Sequence, residues 1–244
     1  MLTSAYACGK KDGDEQGKPV LTMVTNAEFP PYEYYYDGKI TGIDAEIAGA
    51  IAGKLDMELV IENIDFDSVV ASVETGKYDM AMSGLTITDE RREQINFTTS
   101  YATGVQVIIV NENSPLTSVD DFFEDGAFHT IGVQLSTTGD LYSTWDLEDE
   151  GLASVERYNK GADAVMALIS GKVDCVIIDN EPAKVFVSEN PGLKILDTEF
   201  ALEDYAIGIN KGNTELLEKV DSALQELIAD GTVQRIIEKY INVG

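Results

Sequence analysis

Ser83-Gly84-Leu85-Thr86-Ile87-Thr88-Asp89-Glu90-Arg91 is the stretch on which the reading of this chain turns. It follows Met80-Ala81-Met82, an apolar run that reads as a buried strand. Gly84, at the end of that run, lets a ligand or another backbone approach closely. Thr88 suits the N-cap of a short helix, which places Arg91 in the first turn. A helix N-terminus favours negative charge, so a cation there is either a solvated arginine before a turn or one held by an anion that it binds. A guanidinium beside backbone N–H groups and a threonine hydroxyl is suited to take a carboxylate in two parallel hydrogen bonds. Local sequence leaves both readings open.

The stretch has an echo further along. Gly76-Lys77-Tyr78-Asp79-Met80-Ala81-Met82-Ser83-Gly84 and Gly171-Lys172-Val173-Asp174-Cys175-Val176-Ile177-Ile178-Asp179 share one plan. Each follows a helical segment with Gly-Lys-x-Asp, then an apolar strand, then a glycine or polar residue at its carboxyl end. In open parallel α/β sheets, ligands sit outside those carboxyl ends. Two such lobes facing each other would enclose a ligand between Gly84 and Asp179.

The rest of the chain alternates in the same way. Strands are expected at 20–25, 57–64, 80–82, 95–97, 105–110, 130–133, 155–158, 173–178, 193–196 and 206–209. Helices are expected at 43–55, 67–75, 118–124, 162–170, 214–229 and 233–240. Between the first strand and first helix lies Asn26-Ala27-Glu28-Phe29-Pro30-Pro31-Tyr32-Glu33-Tyr34, a loop that two prolines hold extended. Phe29 reads as a pocket wall on that loop; Tyr32, Tyr34, Tyr35 and Tyr36 read as packing under it. Gln134-Leu135-Ser136-Thr137-Thr138-Gly139-Asp140 is a polar turn opening a helix, whose N–H groups would accept a carboxylate.

Composition sets the outer limits. With 244 residues, 44% of them hydrophobic, the chain can bury one large core or the cores of two lobes. A net charge of −27 repels phosphate backbones and argues against nucleic-acid binding. No run is long and apolar enough to cross a bilayer. Spacings for metal ligands or a catalytic nucleophile are absent, so no cofactor is expected. Cys175 lies in an apolar strand and reads as a small buried hydrophobe. Cys8 follows small residues and precedes a flexible polar spacer, which resembles the end of a bacterial lipoprotein signal. Lipidation of Cys8 is the expectation, against an incidental cysteine in a disordered tail covering residues 1–18.

Taken together, Phe29-Pro30-Pro31-Tyr32-Glu33-Tyr34, Gly42-Ile43-Asp44, Asp65-Phe66, Gly76-Lys77-Tyr78-Asp79, the stretch 83–91, Gly132-Val133-Gln134-Leu135-Ser136-Thr137-Thr138-Gly139 and Tyr205-Ala206-Ile207-Gly208 carry a resemblance. From about Val20 onward the chain resembles the polar amino-acid solute-binding proteins of ABC importers, the bacterial extracellular solute-binding protein family 3. That resemblance implies a two-lobed α/β architecture of the periplasmic-binding-protein type II (Venus-flytrap) kind. Each lobe would be a mostly parallel sheet flanked by helices, the two joined by a two-strand hinge. Lobe 1 would comprise residues 19–103 and 206–244, lobe 2 residues 104–205, with the hinge near 103–105 and 203–205.

The resemblance also implies a binding site, a partner and a location. Arg91 would clamp an α-carboxylate, helped by the Thr86 hydroxyl and amide and the Thr138 amide. Asp179 would take the α-ammonium, with the Gly84 carbonyl as second acceptor. Phe29 and Phe66 would sandwich the side chain, with Ser83, Thr137, Asn26, Glu28 and Gln134 completing the lining. Family members commonly have an aspartate where this chain has Asn26, which weakens the case for a cationic side chain. An inward Glu28 would favour arginine; an outward one, a neutral polar residue such as glutamine. The implied partner is the membrane permease of an ABC importer. The protein would be an extracytoplasmic monomer, a cell-surface lipoprotein or a periplasmic carrier. Two other readings of the fold are a cyclohexadienyl or arogenate dehydratase, for which Glu28, Glu181 and Asp179 are the candidate acids, and an extracellular amino-acid sensor domain. The second is disfavoured by the absence of a membrane or signalling segment in the sequence.

Overall fold

The structure, a computed structural model, describes residues 17–124 and 126–241. Cys8 and all but the end of the expected tether lie outside the described residues. In chain order, β1 (Val20–Thr25) leads into a small antiparallel sheet of β2 (Glu28–Phe29), β3 (Glu33–Tyr36) and β4 (Lys39–Thr41). Then come α1 (Ile43–Lys54), β5 (Glu58–Asn63), a 3-10 turn (Phe66–Ser68), α2 (Val69–Glu74), β6 (Met80–Ala81), α3 (Asp89–Gln94) and β7 (Ile95–Phe97). The long strand β8 (Ala102–Asn111) is followed by a 3-10 turn (Val119–Phe123), β9 (His129–Gln134), α4 (Thr138–Ser143) and β10 (Ala153–Tyr158). The chain continues through α5 (Gly161–Ile169), β11 (Cys175–Asp179), α6 (Asn180–Glu189), β12 (Leu193–Ile195) and β13 (Ala201–Tyr205). It ends with β14 (Gly208–Asn210), α7 (Thr214–Ala229) and α8 (Thr232–Tyr240).

Two larger sheets form. One has the order β5-β1-β6-β14-β7, the other β10-β9-β11-β8-β12 with β13 also on β8. Each is sandwiched by helices. In α1, Ile43, Ile47 and Ile51 recur every fourth residue, as the sequence pattern requires, and all are fully buried against β1 and β6 together with α7 and α8. Val69 and Val73 of α2 pack the opposite face, on Val24, Ala81 and Ile95. The second sheet is covered by Phe122 and Leu147 on one face and by Ala164, Val165 and Leu168 of α5 on the other.

As expected, the strands of each sheet run mostly in one direction, with a single reversed strand, β14 in the first and β8 in the second. β1 runs parallel to β5 and β6, and β9 parallel to β10 and β11, as βαβ units require. β14, however, runs antiparallel to β6 and β7, and β8 antiparallel to β11, β12 and β13. The reason is directional: a chain that leaves one sheet and returns from the other arrives running against the local strands.

The link between the sheets is the ladder β8–β13, in which Thr103, Gly104 and Val105 face Asp204, Glu203 and Leu202. An isolated bridge between Thr86 and Tyr205 ties it to the first sheet. Gly104 is required there, because a Cβ would run into the ring of Tyr205. Other details depart from the sequence expectations. Segment 118–124 forms a short 3-10 turn, not an α-helix, capped by Ser118 and Asp121. Helix α6 follows Asp179 directly although a proline lies in it; Pro182 sits in the first turn, where its missing N–H has no intrahelical acceptor to serve. Tyr32 is buried as expected, but Tyr35 and Tyr36 are 55% and 71% exposed, because this end of β3 extends past β2, which pairs only with Glu33 and Tyr34, toward the turn at Asp37-Gly38. Among the described residues no helix is long and apolar enough to cross a membrane.

Candidate functional site

Arg91 is placed by its own helix start. Thr88 caps α3 by accepting the Arg91 N–H at 3.1 Å, and the side chain then folds back into the interior, leaving the residue 5% exposed. Its Nη1 donates to Thr86 O at 2.8 Å, its Nη2 to Ser136 O at 3.1 Å, and the guanidinium lies 5.5 Å from the Phe66 ring centroid. Of the two readings of this arginine, the solvated one is therefore excluded. Burial lowers its pKa from the ordinary value, yet a guanidinium stays charged at neutral pH.

Asp179 closes β11 and is 7% exposed. Tyr205 donates its hydroxyl to Oδ1, and Gln106 Nε2 donates to Oδ2 at 2.6 Å. Burial first, and the neighbouring charge of Glu203 second, push its carboxyl well above the usual range. Arg91 and Asp179 line one pocket, which brings together residues of both lobes. Its other walls are Phe29, Phe66, Gly84 and Thr138, with Asn26, Gln134, Ser83, Thr86, Thr137 and Glu33 completing it. Gly84, at φ +50°, has the Phe29 ring so close that an added Cβ would meet it at 2.7 Å. Thr138 opens α4, where first-turn amides have no intrahelical acceptor.

Of the residues singled out from sequence, the pocket gathers every one except Glu28. Glu28 is not among the lining residues and is instead ion-paired with Lys160 of the other lobe, and that pairing is the correction to its expected place in the lining. Several gathered side chains have less hydrogen-bonding capacity to offer than expected. The Thr86 hydroxyl donates to Glu203 Oε2 at 3.0 Å, so its single proton is not directed at a ligand. The Ser83 hydroxyl accepts from Asn26 N and donates to Glu33 Oε1, both at 3.0 Å. Thr137 donates its hydroxyl to Gln134 O at 2.7 Å. Asn26 uses both ends of its amide, donating to Ile64 O at 2.9 Å and accepting from Gln134 Nε2 at 3.1 Å.

Sequence reasoning missed Glu33, Gln106 and Glu203. Gln106 and Glu203 are buried polar residues in the two linking strands, and Gln106 Nε2 also reaches Glu203 Oε2 at 3.1 Å. A lone glutamine inside Val105-Gln106-Val107-Ile108 was the available signal. Glu33 is fully buried beneath Ser83, next to Asp44, whose Oδ2 accepts Gly84 N at 2.9 Å and whose Oδ1 accepts the Tyr101 hydroxyl at 2.7 Å. Glu33 Oε2 has no hydrogen-bond partner among the described residues, and burial, then the adjacent Asp44, raises the Glu33 carboxyl well above its ordinary value, which favours the protonated form.

This pair makes stability depend on pH. Burial, then Asp44, raises the Glu33 carboxyl well above its ordinary value, and burial raises Asp44 to about 6. A carboxyl with a raised native value binds its proton more tightly when folded. Its stabilisation is complete below the unfolded value and is lost as pH rises through the native one. The ligand-free protein is thus expected to lose stability between about pH 4 and pH 6 through Asp44, and further at higher pH through Glu33. Glu33→Gln, which mimics the protonated form, is expected to flatten the upper part of the profile. Urea midpoints from pH 5 to pH 9 check it; parallel profiles for the two proteins would contradict the raised Glu33 carboxyl.

Comparison with known proteins identifies the family. Residues 21–243 match the model of the bacterial extracellular solute-binding proteins, family 3. The chain belongs to that family. This family-3 protein is 30% identical over 238 residues to the arginine-binding extracellular protein ArtP of Bacillus subtilis (strain 168), covering 96% of this chain and 91% of ArtP. Its fold superposes on an ancestral arginine-binding protein bound to arginine with a TM-score of 0.84 at 35% identity, over 92% of this chain and 99% of the other. An ancestral arginine-binding protein bound to glutamine matches with a TM-score of 0.83, again at 35% identity and with the same coverage. The two-lobed α/β fold of the family is thus the fold of this chain.

Proposed function

We propose that the pocket binds a free, polar L-amino acid as a zwitterion and that closure of the two lobes over it presents it to the permease of an ABC importer. The observation that carries this is the meeting, in one pocket, of a buried guanidinium from the first sheet and a buried carboxyl from the second. Arg91 takes the α-carboxylate, with the Thr86 and Thr138 amides as further donors; Asp179 takes the α-ammonium, with the Gly84 carbonyl beside it. Phe29 and Phe66 hold the side chain between them. The lobes are residues 19–103 with 206–244, and 104–205, hinged at the β8–β13 ladder. Contacts such as Arg91 to Ser136 and Gln134 to Asn26 span the lobes, so ligand contacts available only on closure supply the driving force.

The protein acts outside the cytoplasm, as ArtP does by its name, as a monomer held to the membrane through a lipid on Cys8. The dehydratase reading has less support. Glu28 and Glu181, two of its candidate acids, are paired with Lys160 and Lys184, and neither lines the pocket. A calorimetric screen of the common L-amino acids tests the proposal. At least one polar amino acid should bind at micromolar concentration or tighter, and its α-carboxamide, which lacks the anion for Arg91, at least a hundredfold more weakly. No binding by any amino acid, or equal binding of the amide, would contradict it.

A further inference from the structure

We propose that Lys160 sets the side-chain selectivity of the cleft: its ammonium holds the place on Glu28 that a cationic ligand side chain would take, so the pocket selects a neutral polar side chain over a guanidinium. This rests on the amino-acid reading above and adds the identity of the side chain.

The rim of the cleft supplies the argument. Glu28 and Asp65 each directly precede one of the two phenylalanines of the pocket, Phe29 and Phe66. Both acids act on the same cation, Lys160, Glu28 by direct pairing and Asp65 by its charge. Lys160, from the opposite lobe at the start of α5, is already paired with Glu28. The Glu28 hydrogen bond and charge, followed by Asp163 and Asp65, hold its ammonium above the ordinary lysine value, so the rim acids act on this one cation. The backbone around it is fixed to the pocket wall, because Asn159 O accepts Gln134 Nε2 at 3.2 Å.

The interior offers no substitute for Glu28. Two carboxyl groups line the pocket, Glu33 and Asp179. Glu33, under Ser83, is shifted toward its protonated form, and Asp179 is opposite the α-ammonium. At the far end, both halves of the Asn26 amide are used. Gln134 Oε1 accepts no hydrogen bond among the described residues, which leaves a neutral acceptor suited to the N–H of a carboxamide. A guanidinium brought here would be buried without a counter-ion unless it displaced Lys160, and an unpaired buried charge is strongly disfavoured. A neutral amide carries no such cost.

The test is calorimetry with L-glutamine and L-arginine on the wild type, Lys160→Met, Lys160→Arg and the double variant Lys160→Met with Glu28→Gln. Lys160 and its partner are partly exposed, so these variants are expected to fold, and circular dichroism checks that they do. The wild type should bind glutamine at least tenfold more tightly than arginine. Lys160→Met should shift the ratio of affinities toward arginine by at least tenfold, Lys160→Arg should keep the wild-type ratio, and the double variant should lose the shift. A wild-type preference for arginine, or a ratio unmoved by Lys160→Met, would overturn the assignment while leaving the amino-acid site standing. Failure of every amino acid to bind the wild type would overturn the pocket reading and this assignment with it.

Discussion

Arg91→Ala is expected to weaken amino-acid binding by at least a hundredfold, while the ligand-free protein still unfolds in one cooperative transition. Hydrogen bonds to charged groups contribute roughly 1.5–3 kcal/mol each, and a guanidinium facing a carboxylate makes two of them in parallel. Loss of both corresponds to about two to four orders of magnitude in affinity. The fold is expected to survive because the start of α3 depends on the Arg91 N–H and the Thr88 hydroxyl, not on the guanidinium. Arg91→Lys restores charge without the planar fork and is expected to recover only part of the loss. Titration calorimetry with the amino acid that binds the wild type checks both variants; micromolar affinity retained by Arg91→Ala would refute the clamp.

Asp179→Asn is expected to weaken binding by well over tenfold and to remove a proton that binding otherwise releases. Burial and the adjacent Glu203 charge raise the Asp179 carboxyl, which shifts it toward the protonated form before an ammonium arrives. An ammonium opposite it favours the ionised form, so the proton leaves on binding. Affinity of the wild type should therefore rise with pH until the raised value of the free carboxyl is passed, and then level off. Asparagine keeps the shape of the side chain but offers no ionisable oxygen to the ligand, so its affinity should be both lower and flat with pH over that range. Calorimetry in buffers of different ionisation heat measures the proton count directly. An unchanged affinity in the variant would move the ammonium site elsewhere, most directly to Glu203, the other acid that Gln106 holds nearby.

Much of this was legible in the sequence because it is written in local pattern. The fourfold spacing of Ile43, Ile47 and Ile51 specifies a helix face, and Gly-Lys-x-Asp before an apolar run specifies where β6 and β11 begin. What local pattern could not decide was Arg91: the same residues serve a solvated arginine or a buried one, and only the arrival of Ser136 from the other lobe distinguishes them. Glu28 was illegible for the same reason. Its partner Lys160 lies 132 positions away, and no periodicity links the two. Strand direction in β8 and β14 follows from the route the chain takes between sheets, which period-two patterning does not encode. The raised carboxyls of Glu33 and Asp44 required knowing that two separate motifs, Pro30-Pro31-Tyr32-Glu33 and Gly42-Ile43-Asp44, bury their acids side by side.

The central claim is that one zwitterion is held at both ends by countercharges from opposite lobes. The crystal structure of the protein with its preferred amino acid tests it most directly. The account predicts the α-carboxylate on the Arg91 guanidinium and the α-ammonium on the Asp179 carboxylate, with the side chain between Phe29 and Phe66. A ligand bound outside this pocket, or one bound with its ammonium turned away from Asp179, would contradict it.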